Sequence, residues 1–258
     1  FEIEAEALQL KLLAGKAGLD RFIREPTVNR PGLVLAGFTQ YFASKRIQVM
    51  GYVETSYLKT LSEDEKRKRY ATMFQHKIPC VVYSRSLPPD EMLLEIAEKN
   101  GVPVFDSPLI TMKFINLATL ALEMLFAPKG TELGSMVDIL GVGAIIRGES
   151  GIGKSECVLA LIERGYSLVS DDAVRVTVID GNQVVGTGDD LMRAYMEVRG
   201  IGIINVAAMF GVKSVRKEKR VDLVVTLKAW EDVKDINRVG IDQETVKILG
   251  VDVPHVII

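Results

Sequence analysis

Cysteine is nearly missing from this 258-residue sequence: only Cys80 and Cys157 occur, each inside an apolar segment. So few cysteines exclude a disulfide framework and fit a reducing compartment. Both read as small buried hydrophobes, although Cys157, close after Lys154, is open to modification. An excess of one charge is also lacking, since 32 basic residues face 34 acidic ones for a formal net charge of −2. That balance excludes the broad basic field of a general nucleic-acid binder, and no nucleic-acid partner is expected. No apolar run reaches the roughly 18 residues that span a bilayer, and no secretory leader opens the chain. A cytoplasmic protein without a membrane partner is the expectation. Solenoid repeats and low-complexity tracts are missing as well. Histidine and tryptophan are scarce: His76, between Gln75 and Lys77, reads as solvated or hydrogen-bonded, His255 as structural, and Trp230 as a packing residue. Because the chain begins at Phe1 and stops after the strand-like Val256-Ile257-Ile258, both ends are expected to be incomplete.

What is present is apolar material enough for sizeable cores, 48% of residues, in a length that suits one large domain or two modest ones. The first half reads as a small α/β unit. Ile78–Tyr83 is a mostly apolar strand, Pro89-Asp90-Glu91 opens a helix running to Lys99 and capped by Gly101, and Val102–Phe105 is a second strand parallel to the first. A long helical pattern runs from Ser107-Pro108 to Phe126, with Ile110, Phe114, Leu117, Leu120 and Met124 near one face, and is expected to bridge two domains. Ala127-Pro128-Lys129-Gly130-Thr131 is the best linker candidate. The expected fold class is therefore α/β in two domains, an N-terminal α/β domain over 1–128 and a C-terminal phosphate-loop domain with a mixed sheet over 129–258. Within the latter, Met136–Leu140, Val142–Arg147, Tyr166–Ser170 and Val221–Leu227 read as strands, and Asp180-Gly181-Asn182 as a turn between Val174–Ile179 and Gln183–Val185.

The chemistry concentrates in Gly148-Glu149-Ser150-Gly151-Ile152-Gly153-Lys154-Ser155, which fits G-x-x-x-x-G-K-[ST] between an apolar strand and a helix carrying Val158, Leu159 and Leu161 or Ile162 before Gly165. Glycines let backbone N–H groups converge on phosphate oxygens, and the helix adds the positive end of its dipole. In that arrangement Lys154 reaches the phosphates and the Ser155 hydroxyl ligates Mg²⁺.

The strand Tyr166–Ser170 ends in Asp171-Asp172, and it is expected to return beside the phosphate loop. There, one carboxylate would hold Mg²⁺ through water while the other accepts a proton from an attacking hydroxyl. Met196-Glu197-Val198-Arg199-Gly200-Ile201-Gly202-Ile203-Ile204-Asn205 joins an acid and an arginine to two glycines, a pattern that by spacing alone is a surface turn. The basic run Lys213, Arg216, Lys217, Lys219 and Arg220 reads as a solvated loop or a partner site.

Taken together, G-E-S-G-I-G-K-S-E from Gly148, L-V-S-D-D from Leu168 and E-V-R-G-I-G-I-I-N from Glu197 resemble the HPr kinase/phosphorylase family. Asn29-Arg30-Pro31-Gly32 and Gly51-Tyr52 extend the likeness into the first half, so it covers nearly the whole chain. The resemblance implies a bacterial kinase that uses ATP and Mg²⁺ to phosphorylate a regulatory serine of the phosphocarrier HPr in carbon catabolite regulation, reverses this with inorganic phosphate, and assembles as a hexamer. It also implies that the loop Gly148–Ser155 binds ATP, that Ser155 and Glu197 ligate Mg²⁺, and that Asp172 accepts the proton. Lys154 would contact the phosphates, Arg238 would be a later active-site arginine, and the basic run would face HPr. Two departures stand out: Leu133 occupies the position of the family's histidine, which bears on the kinase–phosphorylase balance, and the chain stops where a loop linked to dephosphorylation follows. A kinase for another protein or a small metabolite, and an ATP-sensing regulator without transfer, are the alternative readings, since the loop says little about the acceptor.

Overall fold

The computed structural model describes residues 5–232 and 244–258. The chain divides into two compact units, Phe1–Phe126 and Ala127–Ile258. Among the described residues no helix is long and apolar enough to cross a membrane.

In the first unit, strands β1 (Lys11–Ala14), β2 (Val28–Asn29), β3 (Ile47–Met50), β4 (Val81–Ser84) and β5 (Val104–Ser107) form one sheet in the order β1-β5-β4-β3-β2. β2 to β5 run parallel and β1 lies antiparallel against β5. The strands β3 and β4 are buried along their whole length, which explains their unbroken apolar reading. Alternate residues serve two cores. Met50, Val81 and Tyr83 pack with Tyr70, Met73, Leu93 and Ala97, while Val49, Val82 and Phe105 pack with Phe114, Ala118 and Leu122.

The expected β-α-β unit is present, with its strands starting three and two residues later than expected. Pro79 and Pro103 stand ahead of the ladder, where a missing N–H costs nothing, and Val81 N donates to the Pro103 carbonyl at 2.9 Å. Between the strands, the helix Glu91–Asn100 starts on Asp90, whose Oδ1 accepts from Met92 N at 3.0 Å, and ends on Gly101 at φ 56°.

The long helix occupies Thr111–Phe126, starting later than Ser107-Pro108 because Ser107 still pairs with Ser84 in the sheet. Its core face is Phe114, Ala118 and Leu122, whereas Ile110, Leu120 (60% exposed) and Met124 (57% exposed) point outward. This helix is apolar nearly all round, so periodicity could not choose its face; the small Ala118 next to the sheet does.

The second unit holds a six-stranded sheet in the order β16 (Thr245–Ile248), β17 (Val251–Ile257), β15 (Leu223–Leu227), β8 (Val142–Gly148), β7 (Ser135–Ile139), β9 (Ser167–Ser170). β8, β15 and β17 are parallel and the remaining pairings are antiparallel. An antiparallel four-stranded sheet joins β14 (Glu218–Arg220), β11 (Gln183–Thr187), β10 (Ala173–Ile179) and β6 (Lys129–Leu133), and β12 (Tyr195–Val198) with β13 (Gly202–Asn205) makes a hairpin.

Three sequence expectations change here. Lys129-Gly130-Thr131 is no linker but part of β6, paired with Thr177, Val176 and Arg175, since Gly130 lies against Val176. The strand β9 does not neighbour β8. The two-residue turn Leu140-Gly141, both at positive φ, folds β7 directly back on β8, and β7 then takes β9 on its other edge. Trp230 is 76% exposed within its unit rather than packed.

Candidate active site

The buried strand β8 delivers the chain to the phosphate loop, with Ala144, Ile145 and Ile146 wedged between β7 and β15. Gly148 ends the strand at φ 151° opposite Leu227, where a Cβ would stand 2.9 Å from both the Leu227 carbonyl oxygen and Ile152 Cγ2. Gly151 and Gly153 also lie in the left-handed region, at φ 91° and 102°. Side chains would strain this path, so the glycines hold the backbone in a loop whose amides run into the helix Lys154–Glu163. Val158 and Ile162 bury that helix against the sheet, and Gly165 follows it at φ 90°. Lys154 folds its ammonium over the loop, donating to the carbonyls of Gly148 and Glu149 at 2.8 Å each.

The two acids after β9 have different tasks. Asp171 is a structural clamp: Oδ1 accepts from Ser135 Oγ at 2.7 Å and Oδ2 from Glu197 N at 3.0 Å, tying β7 and the hairpin together. Burial raises its pKa above the usual carboxylate value, and the hydrogen bonds from Ser135 and Glu197 oppose that shift without cancelling it. Asp172 adopts φ 58°, an uncommon conformation for a non-glycine residue, and its carbonyl accepts from Gly134 N at 2.9 Å. That turn carries its side chain to the phosphate loop although β9 lies two strands from β8.

The hairpin β12–β13 supplies the rest. Met196, Val198 and Ile204 are buried, so the pleat turns Glu197 and Arg199 together to the opposite face. Ser150, Gly151, Gly153, Lys154, Ser155, Glu156, Asp172, Glu197 and Arg199 line one cavity of about 170 Å³. Arg199 closes it over the loop, its Nη2 donating to Ser150 Oγ at 3.2 Å. Of the residues expected at the site, Gly148, Glu149 and Ile152 form the loop backbone beside this cavity, and Arg238 lies outside the described residues. The oxygen set of Ser155, Asp172 and Glu197 is hard and anionic, and no cysteine or histidine is among the described residues that line the cavity. This fits Mg²⁺ carried in by a polyphosphate, which asks few ligands of the protein.

Residues 3–122 match the family described as HPr Serine kinase N terminus, and residues 124–258 match HPr Serine kinase C-terminal domain. The chain belongs to the HPr serine kinase family. A relative named HPr kinase/phosphorylase from Leptospira biflexa is 40% identical over 251 residues, covering 96% of this chain and 78% of its own length. Another of that name, from Brevibacillus brevis, is 41% identical over 245 residues, covering 95% and 79%. A solved structure of the Hpr(Ser) kinase/phosphatase from Coxiella burnetii aligns with 50% of this chain and 78% of its own at 33% identity and a TM-score of 0.47.

In this chain, Leu133 ends β6 opposite Ala173, the residue after Asp172, and is 78% exposed. In the basic run, Arg216 and Lys219 pair with the buried Asp138 and Arg220 pairs with Asp222, so three of the five cations anchor their own unit. His255 is structural, its Nε2 lying 2.8 Å from Thr226 Oγ1, and His76 stacks edge-on against Phe42. Cys80 is buried, with its thiol pushed up to about 12, while Cys157 is only half-buried. Arg199, read in the sequence only as part of the segment Met196–Asn205, takes its place from strand alternation, two residues from Glu197, and one contributor escaped the sequence reading. Ser135 had no local signal, because its partner Asp171 meets it only through the β7–β9 pairing.

Proposed function

We propose that this protein transfers the γ-phosphoryl group of ATP to a serine of HPr and returns it to inorganic phosphate in the reverse direction; the relatives that support the reading are named HPr kinase/phosphorylase. The observation that carries the reading is that donor loop, Asp172 and Glu197 line one cavity. ATP phosphates lie over the loop amides at the helix N-terminus, and Lys154 exchanges its loop carbonyls for phosphate oxygens. Ser155 and Glu197 would hold Mg²⁺, which offsets phosphate charge when bound. Asp172, left free by Asp171's structural role, takes the proton of the seryl hydroxyl and gives it back in the reverse reaction. Arg199 is placed to counter charge near Ser150, and Arg238 remains a proposed further arginine of the site. The working form is a homo-oligomer, a hexamer by resemblance.

Intact mass spectrometry of HPr incubated with Mg-ATP and the protein tests this reading. One phosphate gained on a serine is expected, falling at least about a hundredfold in rate with Asp172→Asn while ATP still binds. Unchanged transfer by that variant removes Asp172 from the role. No transfer by the native protein, with ATP bound, leaves a sensor or another acceptor.

A further inference from the structure

The first unit carries two adjoining cavities of opposite character. One, of about 510 Å³, opens into the core between the sheet and the helix Thr111–Phe126 and is lined by Ile47, Val82, Phe105, Phe114, Ala121 and Leu122 among others. The other, of about 530 Å³, is lined by Arg21, Arg24, Lys45, His76 and Lys77 and by no acid. Arg21, Phe22 and Pro79 belong to both linings, so the two cavities meet along that wall. We propose that they form one binding site for an anionic amphiphile with a single alkyl chain, taken up from solution. The chain lies in the apolar cavity, and the carboxylate or phosphate head lies among Arg24, Lys45 and Lys77. The proposal is independent of the kinase reading, since no residue of the phosphate-loop cavity takes part.

Protein cores hold few voids larger than a water molecule, whereas this apolar space of about 510 Å³ falls within the roughly 300–1,000 Å³ that takes a small ligand. Its rim is apolar as well: Leu19, Phe22, Leu125 and Phe126 line it and are exposed, Phe22 to 81%. Apolar side chains gathered around an apolar cavity mark a surface that a ligand covers. Only Asp20 and Arg21 are charged in this lining. Arg21 spends its guanidinium on the backbone, with Nε donating to the Gly101 carbonyl at 2.6 Å and the two Nη to those of Ile78 and Asn100 at 3.0 and 2.9 Å. It therefore builds the wall and leaves the apolar cavity without a free cation, while the Asp20 carboxylate disfavours an anionic head on that side. Across the wall cations are available. Arg24, Lys45 and Lys77 have no ion-pair partner among the described residues, and Glu25, next to Arg24 in the chain, is held by Arg46 at 2.6 Å. The carbonyl end of the helix Glu63–Gln75 accounts for a cation at Lys77, which is held at φ 53°. It does not account for Arg24 and Lys45, which come from separate segments joined where Arg24 N donates to the Lys45 carbonyl at 3.2 Å. Like charges gathered at one cavity repel one another unless an anion sits between them, so charge complementarity selects the head as apolarity selects the tail.

Equilibrium dialysis of the full chain against dodecanoate, kept below its micellar concentration, tests the assignment, with dodecanol as the neutral counterpart. Each chain is expected to bind one dodecanoate with a Kd on the order of 10 μM, and dodecanol at least about tenfold more weakly. Ala121→Trp, which fills the apolar cavity, should weaken dodecanoate about tenfold or more, as should Arg24→Glu combined with Lys45→Glu, which inverts the charge of the other cavity. Arg24 and Lys45 are exposed, so circular dichroism of the double variant should match the native protein, and the test stands even if Ala121→Trp does not fold. Bound dodecanoate should also slow alkylation of Cys80, which lines the apolar cavity, and leave that of Cys157 in the second unit unchanged. Absence of dodecanoate binding overturns the proposal, as do equal binding of dodecanol, native affinity in a folded variant or equal protection of both cysteines. Sedimentation with anionic phospholipid vesicles, without binding of monomeric dodecanoate, overturns it in favour of a membrane surface.

Discussion

Adjacent aspartates with opposite tasks define this site at the scale of single residues. Asp171 spends both oxygens on Ser135 and Glu197 N, whereas Asp172 bends through a positive φ to face the phosphate-loop cavity. Burial favours the protonated form of Asp171 in the folded state. The folded protein therefore holds that proton to higher pH than the unfolded chain, and this contribution to stability is lost as pH rises through the raised pKa. Asparagine at that position has no charge to desolvate and keeps both contacts if Ser135 turns acceptor. The melting temperature of Asp171→Asn, followed against the native protein, should gain relative to it as pH rises from the ordinary carboxylate range upward. A difference that stays flat with pH would show that Asp171 is not the titrating group.

Among the elements, the helix Thr111–Phe126 shows how far apolar periodicity reaches. Leu122 is buried in the core against the sheet while Met124, on the expected face, is half in water. Leu122→Ala should lower unfolding stability by about 2–5 kcal/mol and Met124→Ala by less than about 0.5 kcal/mol in denaturant titrations. Equal losses would contradict the face assigned. The hairpin β12–β13 follows the opposite logic: strict alternation buries Met196 and Val198 and so decides that Glu197 and Arg199 point the same way. Its sequence resembled a surface turn until the register with Gly202–Asn205 was known.

For the whole molecule, every described residue assigned to phosphate, magnesium and proton-transfer chemistry lies in Ala127–Ile258. The first unit has its own sheet and its own two cores. Leu122→Ala should thus cost stability yet leave KM for ATP within about twofold of native at temperatures where the protein stays folded. A large rise in KM would mean that the first unit's core governs nucleotide binding.

Sequence alone was enough for the phosphate loop, because its glycines, lysine and serine act through local backbone geometry, and for the α/β class, because parallel strands buried on both sides read as short apolar runs. A family resemblance spanning three separated segments also singled out Asp172 and Glu197, and the fold brings both to one cavity. Tertiary structure decided what depends on distant partners. It placed β7 between β8 and β9, drew Lys129–Thr131 of the expected linker Ala127–Thr131 into a sheet strand, and chose the core face of a helix apolar nearly all round. It also divided the labour of Asp171 and Asp172, which no local pattern can do: the two differ only in whether Ser135 and the hairpin, far along the chain, come within hydrogen-bonding reach.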